Sequence, residues 1–272
     1  MNTPARIGNW FYGIAIIVYG IQQLWYGNFR TVQLPAWQTY LPLLPAWAYL
    51  TGVGLIIAGA AIISGRKARE ASLITGSIFL FLFLLVQIPY EIFGDPNSSL
   101  HLGVWTNALK GLALAGGAFV MAGSFAKKDS QQSPFFRLSE KFIPFGPLFF
   151  SITMISFGTA HFLYAEGVST LVPSYFPDPV FWTYLAGVIL IASGLAISLK
   201  IRRGAIAMLF SIALFLWVIF LHLPRAIKEP YTLRGNEVSS CFDALAFCGI
   251  AFVISLKTVK KDLADIFETH SR

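Results

Sequence analysis

The sequence predicts an all-α membrane protein, with eight transmembrane helices as two parallel-repeat four-helix bundles. Three observations carry this. Of 272 residues, 56% are hydrophobic and only 12% charged, about half the roughly 25% charge of a soluble domain. The chain breaks into eight apolar runs of membrane-spanning length. Its second half repeats the pattern of its first. With 25 Phe, 7 Trp and a mean hydropathy of +0.66, a soluble fold of this size cannot hide its apolar surface. A soluble enzyme, a disordered tail and a disulfide-stapled domain are excluded on the same ground.

About 20 apolar residues cross a hydrocarbon core of roughly 30 Å as a helix. Charge-free runs of that length cover residues 7–29, 71–90, 142–165, 179–199 and 204–224. Residues 31–65 are long enough for a proline-rich surface segment followed by a span. Two further runs, 104–126 and 238–256, each contain one charge, Lys110 and Asp243. Arg6 before an apolar stretch is the start of a signal-peptide pattern. No small-residue cleavage site follows, and the run ends in Gln22, Gln23 and Trp25, so the first helix is read as retained. Strand-type alternation is absent, which argues against a barrel.

Fifteen of the twenty Lys and Arg fall on one side of this arrangement, four on the other, and Lys110 inside a span. The bias places both termini in the cytoplasm, in a membrane of the bacterial inner (plasma) type. The net charge of +7 then reflects topology and contact with anionic membrane lipids. No nucleic-acid motif is present. Cys241 and Cys248, seven apart on one helix, are roughly 10 Å apart along its axis, too far for a disulfide. They are read as small packing residues.

Trp47-Ala-Tyr49-Leu50-Thr-Gly52-Val53-Gly-Leu55-Ile56-Ile-Ala-Gly59 matches Trp182-Thr-Tyr184-Leu185-Ala-Gly187-Val188-Ile-Leu190-Ile191-Ala-Ser-Gly194 at eight of thirteen positions, with an offset of 135. The same offset sets Gln87 against His222 and Pro89 against Pro224. An offset of 138 sets Gly20 and Gln23 against Gly158 and His161, and one of 133 sets Lys110 against Asp243. Four helices per repeat leave both copies in the same orientation, as parallel repeats. The expected organisation is a first four-helix repeat over 1–126, a polar cytoplasmic linker over 127–141, a second repeat over 142–257 and a cytoplasmic tail over 258–272. Gly52/Gly59 and Gly187/Gly194 each share one helix face, a device for close helix packing. Segments 34–47 and 171–182, rich in Pro, Trp and Tyr, suit the non-cytoplasmic interface.

Each repeat resembles the DoxX-like family of small four-helix membrane proteins. The residues that carry this are Gly158-Thr-Ala-His161-Phe162, then Val172-Pro173 and Phe176-Pro177, then Trp182-x-Tyr184-Leu185-x-Gly187 with Gly194, and His222-x-Pro224-Arg225. The first repeat has Gly20 through Gln23, Pro35, Pro42, Pro45, Trp47-x-Tyr49-x-x-Gly52 and Gln87-x-Pro89. The resemblance implies a redox- or quinone-linked membrane component. The family includes a subunit of a thiosulfate:quinone oxidoreductase, and the broader group includes methylamine-utilisation proteins and eukaryotic cargo or assembly factors. A quinone is therefore the implied ligand and a redox protein the implied partner. The acid that related members carry early in their second helix is replaced here by Gly54 and Ile189.

Ionisable groups inside spans are costly and mark function by default. His161, His222 and Asp243 all fall in the outer third of their helices, and Gln23, Gln87 and Lys110 hold the matching positions in the first repeat. These six, with Arg225, are the candidate ligand-binding residues. A neutral His and a carboxylate can bind and deprotonate a quinol from the outer leaflet. Two His can hold a haem, and His, His and Asp a metal, though neither is the expected cofactor. The plainer alternative is that each polar group bonds a neighbouring helix or the carbonyls freed by Pro89 and Pro224. Arg225, Lys228 and Arg234 form the outer basic group, and Glu91, Glu166 and Glu229 are read as surface charges. Whether the chain is an enzyme is left open by the residues. A small-molecule or lipid transporter, or a noncatalytic assembly partner, is the alternative function.

Overall fold

The computed structural model describes residues 3–35, 39–94, 101–127 and 133–270, with side chains for those between 5 and 256. Every regular element in them is helical. In chain order these are α1 (Thr3–Tyr26), α2 (Leu44–Ser64), α3 (Ala68–Leu82), α4 (Thr106–Ala122), α5 (Pro134–Glu140) and α6 (Gly146–Leu163). Then come α7 (Ala165–Ser169), α8 (Pro179–Ser198), α9 (Arg203–Trp217), α10 (Leu223–Lys228) and α11 (Asn236–His270). Among the described residues six helical stretches are long and apolar enough to cross a membrane: Leu44–Ser64, Ala68–Gly94, Pro134–Leu163, Pro179–Ser198, Arg203–Lys228 and Asn236–Leu256. The chain therefore has the character of an integral membrane protein.

The two remaining runs are exceptions for a physical reason. In α1, Asn9, Gln22 and Gln23 lower the hydropathy, and all three are buried against protein. At 17 residues, α4 is about 25 Å long, short of a full hydrocarbon core. Nearly all of it, from Ala108 to Ala122, is buried. It meets neighbouring helices rather than lipid, so Ala and Gly serve where a lipid-facing helix needs larger side chains.

Left-handed residues start four helices. Leu43 (φ 55°) opens α2 and Asp178 (φ 49°) opens α8, 135 residues later. Lys67 (φ 50°) opens α3 and Arg202 (φ 41°) opens α9, again 135 apart. Asp178 also caps α8, accepting from the Phe181 amide at 3.1 Å.

Glycine contacts set how the helices cross. In α1 and α2, Gly13 faces Gly59 and Gly20 faces Gly52, backbone to backbone. In α6 and α8, Ser151 faces Gly194 and Gly158 faces Gly187. Two more crossings join distant parts of the chain: Gly8 of α1 against Gly249 of α11, and Gly116 of α4 against Gly146 of α6. A Cβ at Gly8 or Gly116 would sit 2.7 or 2.6 Å from the opposing carbonyl oxygen, so a larger residue forces the helices apart. The packing is thus interleaved. α1 lies on α2 and α11, α6 lies on α8 and α4, and α4 meets α11 in the middle. Tyr12, Phe119, Phe150 and Ile250 are fully buried there, and the Tyr12 hydroxyl donates to the Leu114 carbonyl at 2.7 Å. Cys241 and Cys248 are buried free thiols in α11.

Three surface expectations are corrected. Of the segment read as interfacial, Leu34 and Pro35 are buried, together with Val32 and Gln33 before them. Glu91 is buried, not a surface charge. α3 continues through π turns at Phe83–Gln87 and Tyr90–Gly94, and each extra residue per turn rotates the downstream side chains by about 100°. Arg225 is half-buried and paired with Glu237 at 2.8 Å, rather than free in a basic patch.

A candidate ligand cavity between α6, α8, α9 and α11

A cavity of about 370 Å³ lies among α6, α8, α9 and α11, with α4 contributing one wall. Local structure brings its polar groups inward. In α9 the helix widens into a π turn at Val218–His222, 135 residues after the one at Phe83–Gln87. Single π turns of this kind recur at functional sites. Here the turn ends on His222 and aims it into the cavity. Two residues on, Pro224 has no amide hydrogen, which orphans the Phe220 carbonyl. The Tyr175 hydroxyl donates to that carbonyl. The bond straps residues 171–176 across the mouth, where Leu171, Val172 and Phe176 roof the cavity.

His161 closes the last turn of α6. Its Nδ1 lies 2.8 Å from the Phe157 carbonyl oxygen. A carbonyl only accepts, so Nδ1 carries the proton in the neutral ring and Nε2 keeps its lone pair. Phe157 and Met154 of α6, Leu190 of α8, Trp217 of α9 and Phe247 of α11 supply apolar wall.

Lys110 and Asp243 form the far wall. Lys110 Nζ is 2.9 Å from Asp243 Oδ2, with side-chain exposures of 15% and 3%. The Tyr19 hydroxyl donates to the other carboxylate oxygen. The equivalence of positions 110 and 243 thus becomes an ion pair where α4 meets α11. The pair leaves the cavity wall neutral overall, and Lys110 keeps further N–H donors.

The other candidate residues lie elsewhere. Gln23 donates to the Gln33 side chain and accepts from Thr51 at 2.8 Å. Gln87 donates to the Thr31 carbonyl at 2.9 Å. Both hold residues 31–35 inside the first half of the chain. Arg225 bonds Glu237 and, at 2.9 Å, the Leu171 carbonyl. It therefore ties the same roof that Tyr175 straps, without lining the cavity. Among the described residues no group of three His, Cys, Asp or Glu converges as a metal site.

No family model matches the chain, nor does any curated protein or solved structure. The cavity itself therefore carries the functional argument.

Sequence reading missed two contributors. Tyr19, fully buried in α1, is one turn before Gln23, and only its phenol signalled a polar partner. Arg30 lies outside the spans and is also buried. It donates to the Arg234 carbonyl at 2.8 Å and to Ser239 Oγ at 2.9 Å. Burial lowers its pKa from the ordinary value. Its bonds pin a turn in which Leu233, Arg234 and Gly235 all have positive φ.

Proposed function

We propose that the chain is a duplicated membrane protein of the DoxX-like type, with eight spans and both termini in the cytoplasm of a bacterial plasma membrane. It binds a small apolar ligand near the outer leaflet, in the cavity of the second repeat. A quinone is the ligand class the family resemblance implies. The chain serves a redox-linked system, alongside a redox protein partner. The observation that carries the ligand reading is the convergence of His161, His222 and the Lys110–Asp243 pair on one apolar cavity of about 370 Å³. Ligand pockets are of this size and kind, apolar with a few convergent polar groups. His222 and the Lys110 ammonium would meet the ligand's oxygens, His161 Nε2 a hydroxyl hydrogen of its reduced form, and the walls from Phe157, Trp217 and Phe247 its ring. When bound, a quinone supplies two-electron, two-proton chemistry, and the chain's contribution is to orient it and exclude water.

The duplication draws support from the shared offsets: left-handed helix starts and π turns 135 apart, and glycine crossings at 133, 135 and 138. The eight-span reading draws on α1 and α4 being packed along the six apolar stretches.

The test is extraction. The protein is purified from its host membrane in mild detergent, and bound lipids are extracted and separated by chromatography with electrochemical detection. A quinone should co-purify near one per chain and drop at least tenfold in His222→Phe. Quinone at the level of a control membrane protein, or unchanged in the variant, would overturn the reading.

A further inference from the structure

In the first half of the chain, backbone occupies the place that corresponds to this cavity. Residues 32–35 are all buried. Gln87, 135 before His222, donates to the Thr31 carbonyl. Gln23, 138 before His161, donates to the Gln33 oxygen. At Gly111, 133 before the cavity-lining Ala244, an added Cβ would lie 2.9 Å from the Val32 carbonyl oxygen. The plug is thus an apolar body, Val32, Leu34 and Pro35, whose Thr31 carbonyl and Gln33 side chain face positions 87 and 23.

We propose that the plug is an internal template for the ligand, and that the second-half cavity takes one neutral, hydroxyl-bearing apolar molecule per chain. This rests on the reading of the cavity as a ligand site and sets its polarity. Gln23 presents a donor, and the plug answers with an acceptor. His161 presents the opposite: its Nδ1 hydrogen is spent on the Phe157 carbonyl, leaving Nε2 as an acceptor that only a donor satisfies. A ligand hydroxyl supplies it. For a quinone-type ligand this selects the reduced form. Neutrality follows from the wall, where Lys110 is already matched by Asp243. A second like molecule has no room, because residues 32–35 occupy the equivalent place.

The experiment uses a matched pair, 2-naphthol and 2-methoxynaphthalene, which share the ring system and the oxygen acceptor, the ether carrying a methyl group in place of the donated hydrogen. Each is titrated calorimetrically into the full-length protein in detergent, against its own partition into protein-free micelles. The wild type should bind one 2-naphthol per chain, about tenfold or more tighter than the ether, since a buried acceptor left unmet is costly. His161→Phe should bring the two within about twofold, and His161→Gln, whose amide oxygen still accepts, should keep the preference. Equal wild-type affinities, two molecules per chain, or a preference that survives His161→Phe would overturn the proposal while leaving the cavity a ligand site. Binding of neither probe would overturn both. The wild-type comparison and His161→Gln decide the matter even if the Phe variant fails to fold.

Discussion

Replacing Lys110 with Met removes one partner of a 2.9 Å ion pair whose carboxylate side chain is only 3% exposed. Asp243 then keeps the Tyr19 hydroxyl but has no cation. Breaking a buried pair from one side costs about 3–5 kcal/mol, most of it for the orphaned charge. Asp243→Asn alone should cost less, about 1–3 kcal/mol, because Lys110 borders the cavity and its ammonium can turn into it. The double variant removes both charges and should lie within about 1 kcal/mol of the wild type. The singles therefore fail to add, with an interaction energy of at least about 3 kcal/mol. The assay is reversible unfolding of the four proteins in detergent, followed by tryptophan fluorescence, with size-exclusion profiles to establish monodispersity. Additivity within about 0.5 kcal/mol, or a Lys110→Met protein as stable as the wild type, would refute the argument that this pair joins α4 to α11.

The packing and the charge bias lead to two further outcomes. Gly20→Leu and Gly158→Leu should be comparably severe, each forcing apart a crossing of two helix backbones, and should be seen as loss of the monodisperse species. A mild effect at one of the two positions would contradict the matched crossings. Lys67→Cys should react with a membrane-impermeant maleimide only once the cytoplasmic face is opened, against low background because Cys241 and Cys248 are buried. Labelling in intact cells would reverse the proposed orientation.

Much of this arrangement was legible in the chain. The helices follow from apolar runs, and Lys110 and Asp243 stood out as opposite charges at matched positions. His161 and His222 stood out as titratable groups where the other half has amides. The sequence was silent where the backbone departs from regular helix. Nothing in Phe83–Gln87 or Val218–His222 marks a π turn, because the extra residue per turn leaves the composition apolar. Residues 34 and 35 read as the start of an interfacial stretch, since their burial depends on a space made by helices far away in the chain. Arg225 looked free because its partner, Glu237, lies beyond an intervening loop.

The interleaved crossings bear on how the protein is made. Gly8 of α1 waits for Gly249 of α11, which is synthesised 241 residues later, about 10–50 s at ordinary elongation rates. During that interval the faces of α1 and α4 that α11 covers stay open, Lys110 among them. Neither half can finish alone. It is α11 that closes the structure, so a chain stopped before it would lack the partner of both α1 and Lys110, and would present the cell's quality-control machinery with a lysine stripped of its carboxylate.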